Sequence, residues 1–249
     1  MTRPLILPSD KFAFLVIGAG RGGTSLLAAL LDTHADLEVG FERHAQDCLM
    51  GKALDGPRRD QLDERLRCFV SACNADARGS EHRLWGNKVT TEQIAGLEDH
   101  NRTAAGPPAD VLQAFFNDCF GQRRLVFLLR DGRACVASKV RRAGISYPLA
   151  CQRWRYCVDC YLFLREHRPD TLFVRFEDLL HQPGGTLERI CAHLGVSFQE
   201  QMLAGVHSEK LRPEYRHGRV DPRRAAAPDF PSEYLPLIEE ALVSCGYAV

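Results

Sequence analysis

Short, unbroken apolar runs alternate along the chain with longer stretches in which apolar residues recur every three or four positions. Phe12–Ile17, Leu37–Val39, Leu84–Lys88, Leu125–Leu129 and Thr171–Phe176 read as strands. Ser25–Thr33, Pro148–His167, Thr186–Leu194 (closed by Gly195) and a last segment around Tyr234–Ser244 carry helical spacing. From about His44 to Cys73 the pattern is helical again, broken near Asp55-Gly56-Pro57. Asp99–Ala109, with Gly106-Pro107-Pro108, reads as a loop, and His207–Pro231 is polar, proline-containing and arginine-rich. Strands without polar interruption are those buried on both faces. Their alternation with helices predicts a three-layer α/β fold with a central, mostly parallel sheet flanked by helices, formed as one domain over residues 1–249.

The junction after the first strand carries the strongest chemical signal. Gly18-Ala19-Gly20-Arg21-Gly22-Gly23-Thr24-Ser25 separates a buried strand from a helix. A helix start preceded by glycines offers outward N–H groups and the positive end of the helix dipole, an anion site. Three such loops fit in part. Gly18, Gly20 and Gly23 spell G-x-G-x-x-G with Glu38 about 20 residues on, as in a dinucleotide site. From Gly18 the same residues make a Walker-type loop with threonine in place of its lysine, which argues against ordinary nucleotide hydrolysis. The third option is a loop with a cation inside it, Arg21, and two hydroxyls at its end, Thr24 and Ser25. The loop alone does not choose among them.

A second segment, RLVFLLRDGRACVASKVRR from Arg124 to Arg142, places Arg130 at the C-terminal end of a strand, where ligands of open α/β sheets bind. Gly132 opens a helix on which Ser138 and Arg142 are i,i+4 neighbours, so Arg130, Ser138 and Arg142 outline a pocket for a second phosphate. The plainer alternative pairs Arg130 with Asp131 or a surface carboxylate.

Together the two segments resemble the sulfotransferases: the glycine loop (18–25) their 5′-phosphosulfate loop, and the 130–142 segment, with serine eight residues after arginine, their 3′-phosphate motif. RFEDLLHQPGGTLERICAHLGV, Arg175 to Val196, and SCGY near the C-terminus resemble later steps of that family. The resemblance is nearest to the tyrosylprotein sulfotransferases and runs from about Phe12 to Tyr247. It implies 3′-phosphoadenosine 5′-phosphosulfate (PAPS) as donor and adenosine 3′,5′-bisphosphate (PAP) as product, with no metal. LLDTHADLEVGFE resembles the stretch ending at the family's catalytic glutamate, which places that role on Glu42. GNK, Gly86 to Lys88, resembles the segment bearing the catalytic lysine, and HSEK, from His207, the start of a loop whose serine touches the donor, suggesting Ser208.

On this reading Arg21, Gly22, Gly23, Thr24, Ser25, Arg130, Ser138 and Arg142 hold the donor. Arg21 and Lys88 offset charge during transfer. Glu42 is the candidate base, with His44 a competitor whose ordinary pKa suits neutral pH. The stretch 207–231, with Lys210, Arg212, Arg216, Arg219, Arg223 and Arg224, reads either as a lid over the donor or as a solvated loop. The acceptor bears a hydroxyl but is otherwise open: phenol, sugar, lipid or peptide tyrosine. A kinase with a degenerate loop and a non-catalytic nucleotide sensor are the competing functions.

Composition adds limits. Lys+Arg and Asp+Glu are balanced at 32 each in 249 residues, so no global field recruits nucleic acid or a membrane surface. No apolar stretch approaches a membrane span and no leader pattern opens the chain, which together with the family's cysteine pair falling on Val39 and Gly86 points to a cytoplasmic enzyme. The ten cysteines read as free thiols. Cys157 and Cys160 form a lone C-x-x-C that reads as helix packing before zinc. A homodimer is compatible with all of this.

Overall fold

In the computed structural model, residues 11–54, 61–103, 107–213, 216, 220–222 and 229–249 are described. Five parallel strands, β1 (Phe12–Gly18), β2 (Leu37–Phe41), β3 (Leu84–Thr90), β4 (Arg124–Leu129) and β5 (Leu172–Arg175), form one sheet in the order β2-β3-β1-β4-β5. The apolar run of β1 lies at the centre, with Val16 opposite Lys88 on one side and Val126 on the other. Both faces are covered, as unbroken apolar strands require.

Helices α1 (Thr24–Asp32), α2 (Leu62–Gly79), α3 (Thr91–Ala95), α4 (Asp99–Thr103), α5 (Gly132–Ala143), α6 (Tyr147–His167), α7 (Phe176–His181), α8 (Pro183–Leu194) and α9 (Glu239–Ser244) complete the described fold. Leu15 and Ile17 face one core with Phe69, Phe115 and Trp154, beneath α2 and α6. Phe14 and Val16 face a second, beneath α1, α7 and α8. The predicted three-layer architecture is therefore what the chain adopts.

Several local expectations need correction. Asp99–Thr103 is helical, continuing from a 3₁₀ turn at Gly96–Glu98; the turn closes where Asn101 exchanges hydrogen bonds with Ala109. Five residues are too few to show a 3.6-residue period, and 104–106 lie outside the described residues. The helical reading of 44–73 resolves into a π-helical turn at Ala45–Leu49 and α2, with 55–60 not described. The last strand stops at Arg175 and Phe176 opens α7. The final segment is a 3₁₀ turn, Ser232–Leu237, holding Pro236, before the short α9.

The cysteines are not all free. Cys48, in the π-helical turn, is joined to Cys68 on α2, 20 residues away in sequence, and the other eight remain thiols. Tertiary packing of that turn on α2 brings the pair together, which scattered cysteines do not announce. Cys157 and Cys160 are both buried in the core face of α6. Val39 and Gly86 are register partners across β2 and β3.

Candidate donor and transfer site

At the C-terminal edge of the sheet, the β1–α1 loop rises under a cavity of about 370 Å³. Gly23 takes φ +96°, and a Cβ there would lie 2.2 Å from the Phe176 ring, so only glycine fits. Helix α1 then starts with no capping side chain and no acidic residue in its first turn, leaving the positive end of its dipole open to an anion. Gly20, Arg21, Gly23, Thr24 and Ser25 line the cavity.

Arg21 adopts φ +71°, the left-handed region that is uncommon outside glycine. Its Nε donates to Ser138 Oγ at 3.1 Å, and its carbonyl accepts from Arg130 Nη1 at 3.0 Å. The 18–25 loop and the 130–142 motif are thus one construction. Arg130 lies with its guanidinium 4.5 Å from the Phe176 ring centroid and lines the cavity; it is Arg133, not Arg130, that pairs with Asp131. Arg142 is exposed in the last turn of α5 and is not among the cavity's lining residues.

Two further groups, the buried Lys139 and the partly buried Glu92, hold the loop in place. Glu92 accepts from Gly20 N at 2.8 Å, and Lys139 donates to both Glu92 and the Gly20 carbonyl. Neither residue belongs to an obvious motif, because each acts on the loop from a different element.

The opposite wall holds Glu42 and Lys88. Glu42 follows β2 in a left-handed conformation (φ +59°), its N–H donating to the Lys88 carbonyl at 2.8 Å. Lys88 Nζ donates to Glu42 Oε1, and Gln93 Nε2 donates to Oε2 at 2.7 Å. Gln93 is itself fixed, since its Oε1 accepts from Thr90 N at 2.8 Å. The spacing Thr90-Thr91-Glu92-Gln93 is a capping-box pattern at the end of a strand, a readable signal for the residue that orients Glu42. Lys88 is 2% exposed and Glu42 35%. Burial lowers the Lys88 pKa from its ordinary value, and the Glu42 carboxylate acts in the opposite direction.

Among the described residues, five cationic side chains, Arg21, Lys88, Arg130, Lys210 and Arg212, line this cavity against one carboxylate, that of Glu42. That asymmetry suits a ligand with several negative charges. His44 lies elsewhere: its Nε2 is 2.9 Å from Asp76 Oδ2, beside an Arg43–Asp76 ion pair. Ser208 is not a lining residue either, and its Oγ accepts from Lys210 N. Of the arginine-rich 207–231 stretch, Arg212 reaches the cavity and Arg216 turns back onto the Glu209 and Leu211 carbonyls. Arg219, Arg223 and Arg224 lie outside the described residues.

SCGY also finds its place. Tyr247 donates to Glu177 Oε2 at 3.0 Å while Asp131 N donates to Oε1, tying the C-terminal turn to the start of α5. Among the described residues no group of three or more His, Cys, Asp or Glu is arranged to hold a metal ion, and no helix is long and apolar enough to cross a membrane.

Residues 13–200, which include every element of this site except the 207–212 segment and the C-terminal turn, match the model of the Sulfotransferase family. The chain belongs to that family. Protein-tyrosine sulfotransferase 1 of Danio rerio is 22% identical over 85% of the chain, and the Drosophila melanogaster protein-tyrosine sulfotransferase 23% identical over 75%. The chain spans about 60% of the first relative's length and 38% of the second's. The sulfotransferase domain of the Synechococcus PCC 7002 olefin synthase superposes with a TM-score of 0.66 at 21% identity, covering 100% of this chain and 99% of that one. A mouse sulfotransferase complexed with PAP superposes at 0.51 with 11% identity, over 95% of this chain and 85% of that one. The sulfotransferase fold therefore extends over the described length of this chain, and neither the kinase nor the sensor alternative is favoured.

Proposed function

We propose that this sulfotransferase moves the sulfuryl group of PAPS to an acceptor hydroxyl, releasing PAP. The observation that carries the proposal is the cation-rich cavity that joins the α1 N-terminus, Arg21 and Arg130 to a Lys88–Glu42 pair. Loop amides and α1 suit a 5′-phosphosulfate, and Arg130, with Ser138 acting through Arg21, suits a nearby 3′-phosphate.

Sulfuryl transfer, like phosphoryl transfer, asks the protein chiefly to position groups and stabilise charge. The acceptor oxygen forms the new O–S bond as the bond from sulfur to the bridging phosphate oxygen breaks, and PAP leaves with that electron pair. Glu42 takes the hydroxyl proton. Lys88 and Arg21 stabilise charge on the leaving phosphate and the equatorial oxygens. With Oε1 bound to Lys88 and Oε2 to Gln93, the carboxylate's direction is set before any acceptor arrives.

Calorimetry tests the donor assignment. PAP should bind at least ten-fold more tightly than ADP, and Arg130→Ala should remove about 1.5–3 kcal/mol from PAP binding with little effect on ADP. Equal affinity for the two nucleotides in the intact protein would overturn it.

A further inference from the structure

Glu42 stands in the wall between two cavities. Beyond the donor cavity lies a second, of about 280 Å³, and Glu42 and Thr90 line both. The β1–α1 loop and Arg130 line only the first. In-line displacement puts the incoming oxygen on the side of the sulfur opposite the leaving phosphate, and the base must face that oxygen. Of the two cavities, the second is the one that Glu42 lines without the β1–α1 loop or Arg130.

Its charge is specific. Two carboxylates line it, and each is already matched: Glu42 by Lys88 and Gln93, Glu92 by Lys139 and the Gly20 amide. Among the described lining residues the cation is Arg153, exposed on α6, which makes no hydrogen bond or ion pair with any described residue. Tyr156, one turn further along α6, spends its hydroxyl on Glu98, whose other oxygen accepts from Asn101; Glu98 is not a lining residue. Met50 and Ala95 supply apolar surface. The cavity thus offers a base at one end, an apolar wall, and an uncommitted guanidinium. At about 280 Å³ it lies just under the usual range for molecular ligands, about 300–1,000 Å³, which suits a small acceptor.

We propose that this cavity is the acceptor site and selects a small hydroxy acid, an alcohol or phenol whose carboxylate pairs with Arg153 while its hydroxyl meets Glu42. The assignment rests on the sulfotransferase reading above. A planar guanidinium gripping a carboxylate through two parallel bonds fixes orientation as well as charge, so Arg153 is a specificity-determining residue.

The test uses the PAP-bound protein and matched probes: 4-hydroxybenzoate and 6-hydroxyhexanoate, each beside its methyl ester. Calorimetry should show at least one acid binding ten-fold or more tightly than its ester. Arg153→Ala should abolish that preference without weakening the ester, and Arg153→Lys should retain part of it. PAP affinity, measured on every variant, reports on folding and on the donor site. Acids binding no better than esters, no acid binding at all, or an intact preference in Arg153→Ala overturns the proposal while leaving the donor assignment standing. Absence of PAP binding in the intact protein removes the donor assignment, and this inference with it.

Discussion

The Glu42–Lys88 pair is unequal, and the inequality predicts which deletion harms the fold. Lys88 is 2% exposed, whereas Glu42 keeps 35% of its side-chain surface in contact with solvent. Glu42→Gln leaves a buried ammonium without its counter-charge, a change that costs about 3–5 kcal/mol in buried pairs. The lysine can instead release its proton, which sets a ceiling. From the ordinary value of 10.5, neutralisation at pH 7 costs about 3.5 × 1.36, or about 4.8 kcal/mol. A loss near 3 kcal/mol corresponds to about 6–12 °C in Tm for a chain of this size. The pH dependence follows in sign. In the variant, the folded-state pKa of Lys88 falls further below 10.5, so between the two values the unfolded chain holds more protons and stability rises with pH. The deficit should therefore shrink by up to about 1.4 kcal/mol per pH unit toward pH 10. Lys88→Met should cost only about 1 kcal/mol, because water and Gln93 can still solvate the half-exposed carboxylate. The double variant should be more stable than Glu42→Gln alone. Urea denaturation of the four proteins between pH 6 and 10 measures all of this. A Glu42→Gln protein as stable as the wild type at pH 7, with no alkaline recovery, would refute the reasoning. Both single variants should still fold below 25 °C and lose about 10²–10⁴-fold in turnover.

Gln93→Ala should leave PAP affinity intact and lower turnover about ten-fold, with Gln93→Glu unable to restore it, because a second carboxylate repels Glu42; unchanged turnover with a responsive acceptor would return Gln93 to a capping role. Gly23→Ala should abolish PAP binding or cost about 1–3 kcal/mol of stability, since its Cβ would meet the Phe176 ring at 2.2 Å; an Ala variant with normal affinity would contradict the loop geometry. Alkylation in urea followed by mass measurement should count eight modified cysteines without reductant and ten after reduction. In the native state labelling should be slow, as burial pushes thiols such as Cys73 and Cys119 up to about 12.

How much was legible differs from element to element. The β1–α1 loop, β4 and Arg130 were readable because their chemistry is local: a glycine loop between a buried strand and a helix has few other uses. Gln93 sat within a visible capping-box spacing, yet its second bond, to Glu42, joins positions 51 residues apart. Glu92 and Lys139 announced nothing, because an ion pair between α3 and α5 has no periodicity. His44 stood behind Glu42 as a candidate base in the sequence; in the structure Glu42 lines the donor cavity while His44 lies against Asp76 on α2.

By itself, the sequence determined the layered α/β fold and picked out the two segments that line or support the donor cavity proposed here. Apolar runs, glycines and helix starts act over a few residues, and their physics does not depend on distant partners. Only the tertiary structure decided which side chains share a wall. Parallel pairing of β2 on β3 sets Phe41 beside Lys88 and so carries Glu42 to the lysine; packing of the Ala45–Leu49 turn on α2 joins Cys48 to Cys68; and α6 brings Arg153 to a cavity that Glu42 also lines. These juxtapositions arise from burying both faces of one sheet, a global free-energy condition that no local pattern encodes.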